Sequence, residues 1–241
     1  MIALLCAVHA EAEKLLSSIT GSKSSTSGSK LFFEGMLGGR PIVLCIGGMG
    51  KVNAAHAATL LLTKFDAVQL IVFGVGGAYP SSGAKVGDIA LAKEEIAGDE
   101  GVLTQEGFKD TSYIGIPLLK TASTVIFTTY PASETLFKSS LQTLLSAGTD
   151  RRVHVGSFVT LSTCTGTSAR AHEMEARHHG LCENMEGAAA AQVAELQGVP
   201  WIEVRGISNI VEDRDLKKWN IPLAAEAAQF AVSCLIEKRT L

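Results

Sequence analysis

The stretch that most constrains the fold is CENMEGAAAAQVAELQGVPWIEVRGISN, residues 182–209. Asn184, Met185 and Glu186 open an alanine-rich helical run. It stops at Gly198-Val199-Pro200, where glycine ends a helix and proline cannot continue one. An apolar segment, residues 201–207, follows and ends at Ser208-Asn209. If the strands before Asn184 and before Ser208 are parallel, the helix is the crossover between them. Glu186 then sits at the helix N-terminus and Asn209 just past the next strand. Both lie on the sheet edge where open α/β sheets bind ligands. Each also has a purely structural explanation. A first-turn carboxylate is favoured by the helix dipole, and asparagine is a common turn residue. A shared pocket accounts for both together.

The chain has 241 residues, 46% hydrophobic and 19% charged, which fits one α/β domain with a large core. A core of that size needs no disulfide or metal staple. The net charge of −3 argues against a nucleic-acid partner. The five cysteines, Cys6, Cys45, Cys164, Cys182 and Cys234, form no CxxC and sit mostly in apolar runs, the usage of a reduced, cytoplasmic protein. The N-terminal MIALLCAVHA has no basic flank and is followed by Glu11, so it reads as a buried strand and not a leader. No apolar run approaches the ~20 residues that span a bilayer, so no membrane partner is expected.

Residues 2–8 form a continuous apolar run, as in a strand covered on both faces. Glu11 falls between that strand and a helix, again at a ligand edge. Residues 21–30 read as a polar loop, and residues 31–48 as a hairpin turning at Gly38-Gly39. The glycines of 47–50 precede a helix and make an anion cradle or a close packing contact. Residues 67–80 are a buried strand ended by Gly74-Val75-Gly76-Gly77, whose amides can approach a sugar or base. Residues 98–119 read as an irregular, substrate-covering loop with Phe108, Tyr113 and Ile114. The segment 162–167 offers hydroxyls and backbone groups, including Cys164 and Thr165. His172, Glu175 and His178 share a helical face, but nothing completes a metal set. No metal or organic-cofactor motif is found. The final helix, residues 222–238, is amphipathic and is expected to pack on the sheet.

Gly50-Lys51-Val52, Gly76-Gly77, Lys85-Val86-Gly87-Asp88, Met185-Glu186-Gly187-Ala188 and Val204-Arg205-Gly206-Ile207-Ser208 resemble the nucleoside phosphorylase/nucleosidase superfamily. The order and spacing extend through nearly the whole chain. The resemblance implies a mixed, strongly bent central β-sheet flanked by helices, the three-layer α/β/α arrangement of purine nucleoside phosphorylases. It also implies one domain over 1–241, a nucleoside substrate, and a homodimer or higher homo-oligomer with the site near the subunit interface.

By the same resemblance, Glu11 corresponds to the carboxylate that activates water, and Met185 and Glu186 to the pair that holds ribose. Gly76, Gly77, Cys164, Thr165 and Ser208 would line the substrate site. Asn209 stands where methylthioadenosine/S-adenosylhomocysteine nucleosidases carry an aspartate. An amide donates to a carbonyl O6 or to N7, so Asn209 suits a 6-oxopurine. Residues 162–166 lack the family's stacking aromatic. With Val52-Asn53-Ala54-Ala55, Glu183-Asn184-Met185-Glu186-Gly187 and Ile207-Ser208-Asn209, the pattern is similar to the futalosine hydrolases, which release hypoxanthine on the futalosine route to menaquinone. No arginine matches a phosphate site, which favours hydrolysis. Lys51 or Arg214 is the candidate for a substrate carboxylate, and Arg205 reads as structural. The alternatives are a methylthioadenosine-type nucleosidase, a purine nucleoside phosphorylase, or a non-catalytic nucleoside binder.

Overall fold

A computed structural model describes residues 1–238, and residues 239–241 lie outside the described part. In chain order, β1 (Ile2–Cys6) leads through a 3-10 turn at His9–Glu11 into α1 (Glu13–Ser18). A meander of β2 (Thr20–Ser27), β3 (Lys30–Leu37) and β4 (Arg40–Ile46) follows, then α2 (Lys51–Lys64) and β5 (Gln69–Ala78). β6 (Ile89–Ala97) precedes a small hairpin of β7 (Gly101–Thr104) and β8 (Gly107–Asp110), the short α3 (Thr111–Ile114), and the pair β9 (Leu119–Lys120) and β10 (Val125–Ile126). The chain continues with β11 (Thr129–Pro131), α4 (Glu134–Leu145), β12 (Val153–Thr160), α5 (Ser168–His178) and β13 (Gly180–Asn184). It ends with α6 (Gly187–Gln197), β14 (Trp201–Ile210) and α7 (Ile221–Glu237).

The apolar runs are strands covered on both faces. In β1, Ile2, Leu4 and Cys6 enter one core and Ala3 and Leu5 the other. In β5, Ile71 and Phe73 oppose Leu70 and Val72 in the same way. A strand with no wet face carries no polar alternation. Leu15 of α1, Leu144 of α4 and Ala227, Ala231 and Leu235 of α7 close the first core. Ala57, Ala58 and Leu61 of α2 and Ala190, Ala191 and Ala194 of α6 close the second. Helices therefore flank both sides of a mixed sheet. Among the described residues, no helix is long and apolar enough to cross a membrane.

The sheet is built from two parallel sets. β4, β1, β5 and β14 form one, and β6, β12 and β13 the other. The sets run in opposite directions where they meet. β13 pairs antiparallel with β5 through Cys182↔Ala78 and Glu183↔Gly77. β14 pairs antiparallel with β6 through Val204, Arg205 and Gly206. Because β14 bridges β5 and β6, the strands β6, β12, β13, β5 and β14 close into a ring, and the sheet bends strongly.

Four expectations are corrected. β13 and β14 are not a parallel pair; they belong to opposite sets, and the bend brings their C-terminal ends together. Residues 21–30 are no loop: β2 pairs antiparallel with β3 at the sheet edge. Its side chains stay in water, so its sequence is polar although its backbone is paired. Residues 98–119 hold the β7–β8 hairpin and α3 rather than an irregular loop. The glycines 74, 76 and 77 lie inside β5, not after it.

α7 crosses β14 at Gly206, where an added Cβ would stand 1.9 Å from the Ala224 carbonyl oxygen. Backbone cannot rotate out of such a contact, so Gly206→Ala forces helix and strand apart. The expected loss is about 1–3 kcal/mol of stability, read as a lower urea midpoint with unchanged slope. An unaltered midpoint would show that helix and strand do not pack this closely.

Candidate active site

One cavity of about 230 Å³ opens where the C-terminal ends of the two strand sets converge. Glu11, Gly76, Gly77, Cys164, Thr165, Met185, Glu186, Ser208 and Asn209, all singled out from the sequence, line it. They come from the turn after β1, the end of β5, the segment after β12, the β13–α6 junction and the end of β14.

Glu11 is carried by the 3-10 turn after β1 and is 3% exposed. Its Oε2 accepts from the backbone N–H of Ala7 at 2.9 Å and of Val8 at 3.1 Å, and its Oε1 from Val75 N–H at 2.9 Å. Gly74 makes room, since a Cβ there would lie 2.4 Å from Glu11 Oε1. Burial pushes the Glu11 carboxyl above its ordinary range, while Arg205 and the backbone amides oppose that rise.

Glu186 stands between two helix N-termini. It is the N-cap of α6, and its Oε1 accepts from Gly50 N–H, the N-cap of α2, at 2.9 Å. Both dipoles favour a negative charge there. The Glu186 backbone is held by Asn184, whose Oδ1 accepts from the N–H groups of Glu186 at 2.9 Å and Gly187 at 2.7 Å. Its Oε2 accepts from Arg205 Nη2 at 3.2 Å. Arg205 also donates to Glu203 Oε1 at 2.6 Å and to the Val75 carbonyl at 3.0 Å. Burial works against the charge on Arg205, but Glu203, Glu186 and Glu11 outweigh it and raise its pKa further.

At the other side of the cavity, Ser208 Oγ lies 2.7 Å from Asn209 Oδ1 and 3.1 Å from the Gly76 carbonyl. Asn209 Nδ2 donates one hydrogen to the Ile210 carbonyl at 3.1 Å. An amide nitrogen carries two hydrogens, so one remains for a ligand. Thr165 is anchored by Glu183, which accepts from its N–H at 2.8 Å and its hydroxyl at 2.5 Å. Cys164 Sγ and Met185 Sδ are 3.5 Å apart.

Arg205, Glu183, Met49, Val8, Trp219 and Ile221 also line the cavity and were not assigned to it from the sequence. Arg205 was read as structural; its side chain reaches the site. The signal for it was present: Glu203 and Arg205 are opposite charges two apart in an otherwise apolar strand, hence on one face. Trp219 supplies an aromatic ring that residues 162–166 do not, and Arg214 stacks over it at 4.6 Å. Lys51 is corrected as a carboxylate binder, because it pairs with Asp99 and with Glu100 at 3.0 Å. Phe108 stacks under Arg177 at 4.4 Å in a separate depression. Tyr113 and Ile114 are exposed and do not line the cavity. Glu175 accepts from Ser81, and His178 contacts the Gly98 carbonyl. Among the described residues no cluster is set to hold a metal ion.

The model of the family described as "Phosphorylase superfamily" matches residues 1–237. A 5′-methylthioadenosine/S-adenosylhomocysteine nucleosidase of Mycobacterium bovis is 27% identical over 221 residues, covering 87% of this chain and 85% of that protein. A futalosine hydrolase of Thermus thermophilus is 32% identical over 189 residues, covering 78% of each. Among solved structures, the 5′-methylthioadenosine/S-adenosylhomocysteine nucleosidase of Neisseria meningitidis, in complex with methylthio-immucillin-A, superposes with a TM-score of 0.86 at 22% identity, covering 98% of both chains. The family match spans almost the full chain and the fold agrees with it: the chain belongs to the phosphorylase superfamily.

Proposed function

We propose that the chain, an N-glycosidic hydrolase of this superfamily, cleaves futalosine to hypoxanthine and dehypoxanthine futalosine, on the futalosine route to menaquinone. The observation that carries the reading is the convergence of Glu11, Glu186 and Asn209 on one cavity, with an uncharged amide hydrogen left for the base. The C1′–N9 bond breaks with its electron pair leaving on the purine, and positive charge develops at C1′. Glu186 holds the ribose hydroxyls with Met185 against the sugar. Glu11 takes a proton from the water that attacks C1′. Asn209, steadied by Ser208, donates a hydrogen bond to the departing purine and spreads its charge. The purine anion takes up a proton from solvent to leave as hypoxanthine, while Glu11 returns its own to water. Arg205 is one cation beside the two carboxylates of Glu11 and Glu186, so the cavity wall is net negative where the ribosyl cation forms.

Hydrolysis over phosphorolysis is supported by the fate of the anion-binding groups. The Gly50 amide is taken by Glu186, and Arg205, the cation in the cavity wall, already serves two carboxylates. The apolar mouth formed by Val8, Met49, Trp219 and Ile221 also suits an alkylthio substituent, which keeps a methylthioadenosine-type nucleosidase as the second reading. The homo-oligomer belongs to the proposal as well; Val8 and Met49 stand exposed at that mouth.

A phosphate-free panel of futalosine, its 6-amino analogue, inosine and methylthioadenosine separates the readings. Hypoxanthine from futalosine is expected fastest; faster release of adenine from methylthioadenosine would select the second reading. Glu11→Gln is expected to lower kcat by ~10²- to 10⁴-fold while hypoxanthine still binds in calorimetry. Because Glu11 works ionised and its carboxyl is raised, kcat/KM should fall as pH drops through a value above the ordinary carboxyl range. That limb should vanish in the variant, and wild-type turnover by Glu11→Gln would remove it from the mechanism. Asn209→Asp should lose rate on futalosine relative to the 6-amino analogue; an unchanged ratio of kcat/KM would mean that Asn209 does not read the base.

A further inference from the structure

Beneath α6, outside the cavity wall, two carboxyl groups lie together with no solvent exposure: Glu95 on β6 and Glu203 on β14. A Cβ at Gly187 would stand 2.1 Å from Glu95 Oε1 and 2.2 Å from Glu203 Oε2, so the two oxygens sit side by side against one glycine. Glu203 Oε2 is fully buried and lacks a partner among the other donors. Two adjacent carboxylates in such a place do not both ionise. A proton between Glu203 Oε2 and Glu95 Oε1 satisfies both atoms.

Each member leads to Glu186 by its own path. Glu95 Oε1 accepts from Asn184 Nδ2 at 2.6 Å, and Asn184 holds the backbone N–H of Glu186. Glu95 Oε2 accepts from Thr160 at 2.7 Å, and Thr160 Oγ1 accepts from Ala188 N–H at 2.8 Å. Together these contacts occupy the first free amides of α6. Glu203 Oε1 accepts from Arg205 Nε, and Arg205 holds the Glu186 carboxylate.

We propose that Glu95 and Glu203 share one proton and act as positioning residues, holding Glu186 by its backbone from one side and by its carboxylate from the other. The inference rests on the reading of Glu186 as the ribose-holding group. Burial and the neighbouring Glu203 push the Glu95 carboxyl well up, in keeping with a retained proton. The charged and titratable groups facing the pair are Arg205 on β14, Glu186 at the start of α6, Glu11 beyond Arg205, and the Cys182 thiol on β13. Loss of the shared proton adds a second buried negative charge beside Glu186 with only Arg205 to meet it.

Glu203→Gln tests this directly. Its Oε1 still accepts from Arg205, and its Nε2 donates to Glu95 permanently, reproducing the one-proton state. Glu203→Leu keeps the bulk and removes both functions. The wild type should lose kcat/KM as pH rises through loss of the shared proton. Glu203→Gln should keep neutral-pH activity and show that alkaline limb absent or moved up, whereas Glu203→Leu should fall by about tenfold or more. A limb unmoved in Glu203→Gln, or Gln as impaired as Leu, overturns the proposal.

Stability against urea supplies a readout free of catalysis. The folded pair holds a proton that the unfolded chain has released above the ordinary carboxyl range. Wild-type stability therefore declines with rising pH from that range up to the folded value, relative to Glu203→Gln. Parallel stability curves for the two proteins also overturn the shared proton. A wild type that cleaves no nucleoside in the panel would defeat the nucleosidase reading, while the stability comparison would still decide the proton.

Discussion

The guanidinium of Arg205 is the contact on which the site depends. It is 2% exposed and binds Glu203, Glu186 and the Val75 carbonyl. A buried ion pair is costly to assemble and more costly to break, because removing one partner leaves the other charge without water. Glu186 thus relies on a cation one strand away, and that cation relies on Glu203 in the interior. The cluster is net negative, which destabilises the resting protein and favours a bound or developing cation. Strain of this kind is tolerated where many fixed dipoles share the load. Here they are the amides of Ala7, Val8, Gly50 and Val75, each aimed at a carboxylate oxygen.

The bend in the sheet makes that gathering feasible. In a flat parallel sheet the C-terminal ends all face one edge. Here two parallel sets face each other, and their ends meet where β13 overlaps β5. Glu183, Asn184 and Glu186 arrive from one set, and Ser208 and Asn209 from the other. The alanines of α2 and α6 serve the same end, because small side chains let both helix N-termini approach the Glu186 carboxylate.

Much of this was legible in the residues. The buried strands announced themselves as unbroken apolar runs, and Gly198-Val199-Pro200 marked the end of α6. Glu11 and Glu186 were found because each follows a strand end, and Asn209 because it stands at one, within the last two residues of β14. The failures have physical causes. β2 was missed because an edge strand with both faces wet has no hydrophobic period, only backbone pairing. The β7–β8 hairpin and α3 were missed because four-residue elements carry too few side chains to show one. Phe108 was placed in the site because an aromatic in a long connection suggests a ligand, yet its ring is spent on Arg177.

By itself the sequence determined the types of the long buried elements, the two-sided burial of the core strands and which polar residues stand at their ends, since these follow from local periodicity and turn chemistry. Through motif order it also determined the superfamily. The tertiary structure alone decided that β13 and β14 run oppositely, that Arg205 turns into the cavity, that Trp219 supplies its aromatic ring, and that Glu95 meets Glu203 under Gly187. Those facts depend on how the sheet closes, and closure is set by contacts between segments a hundred or more residues apart, which no local pattern encodes.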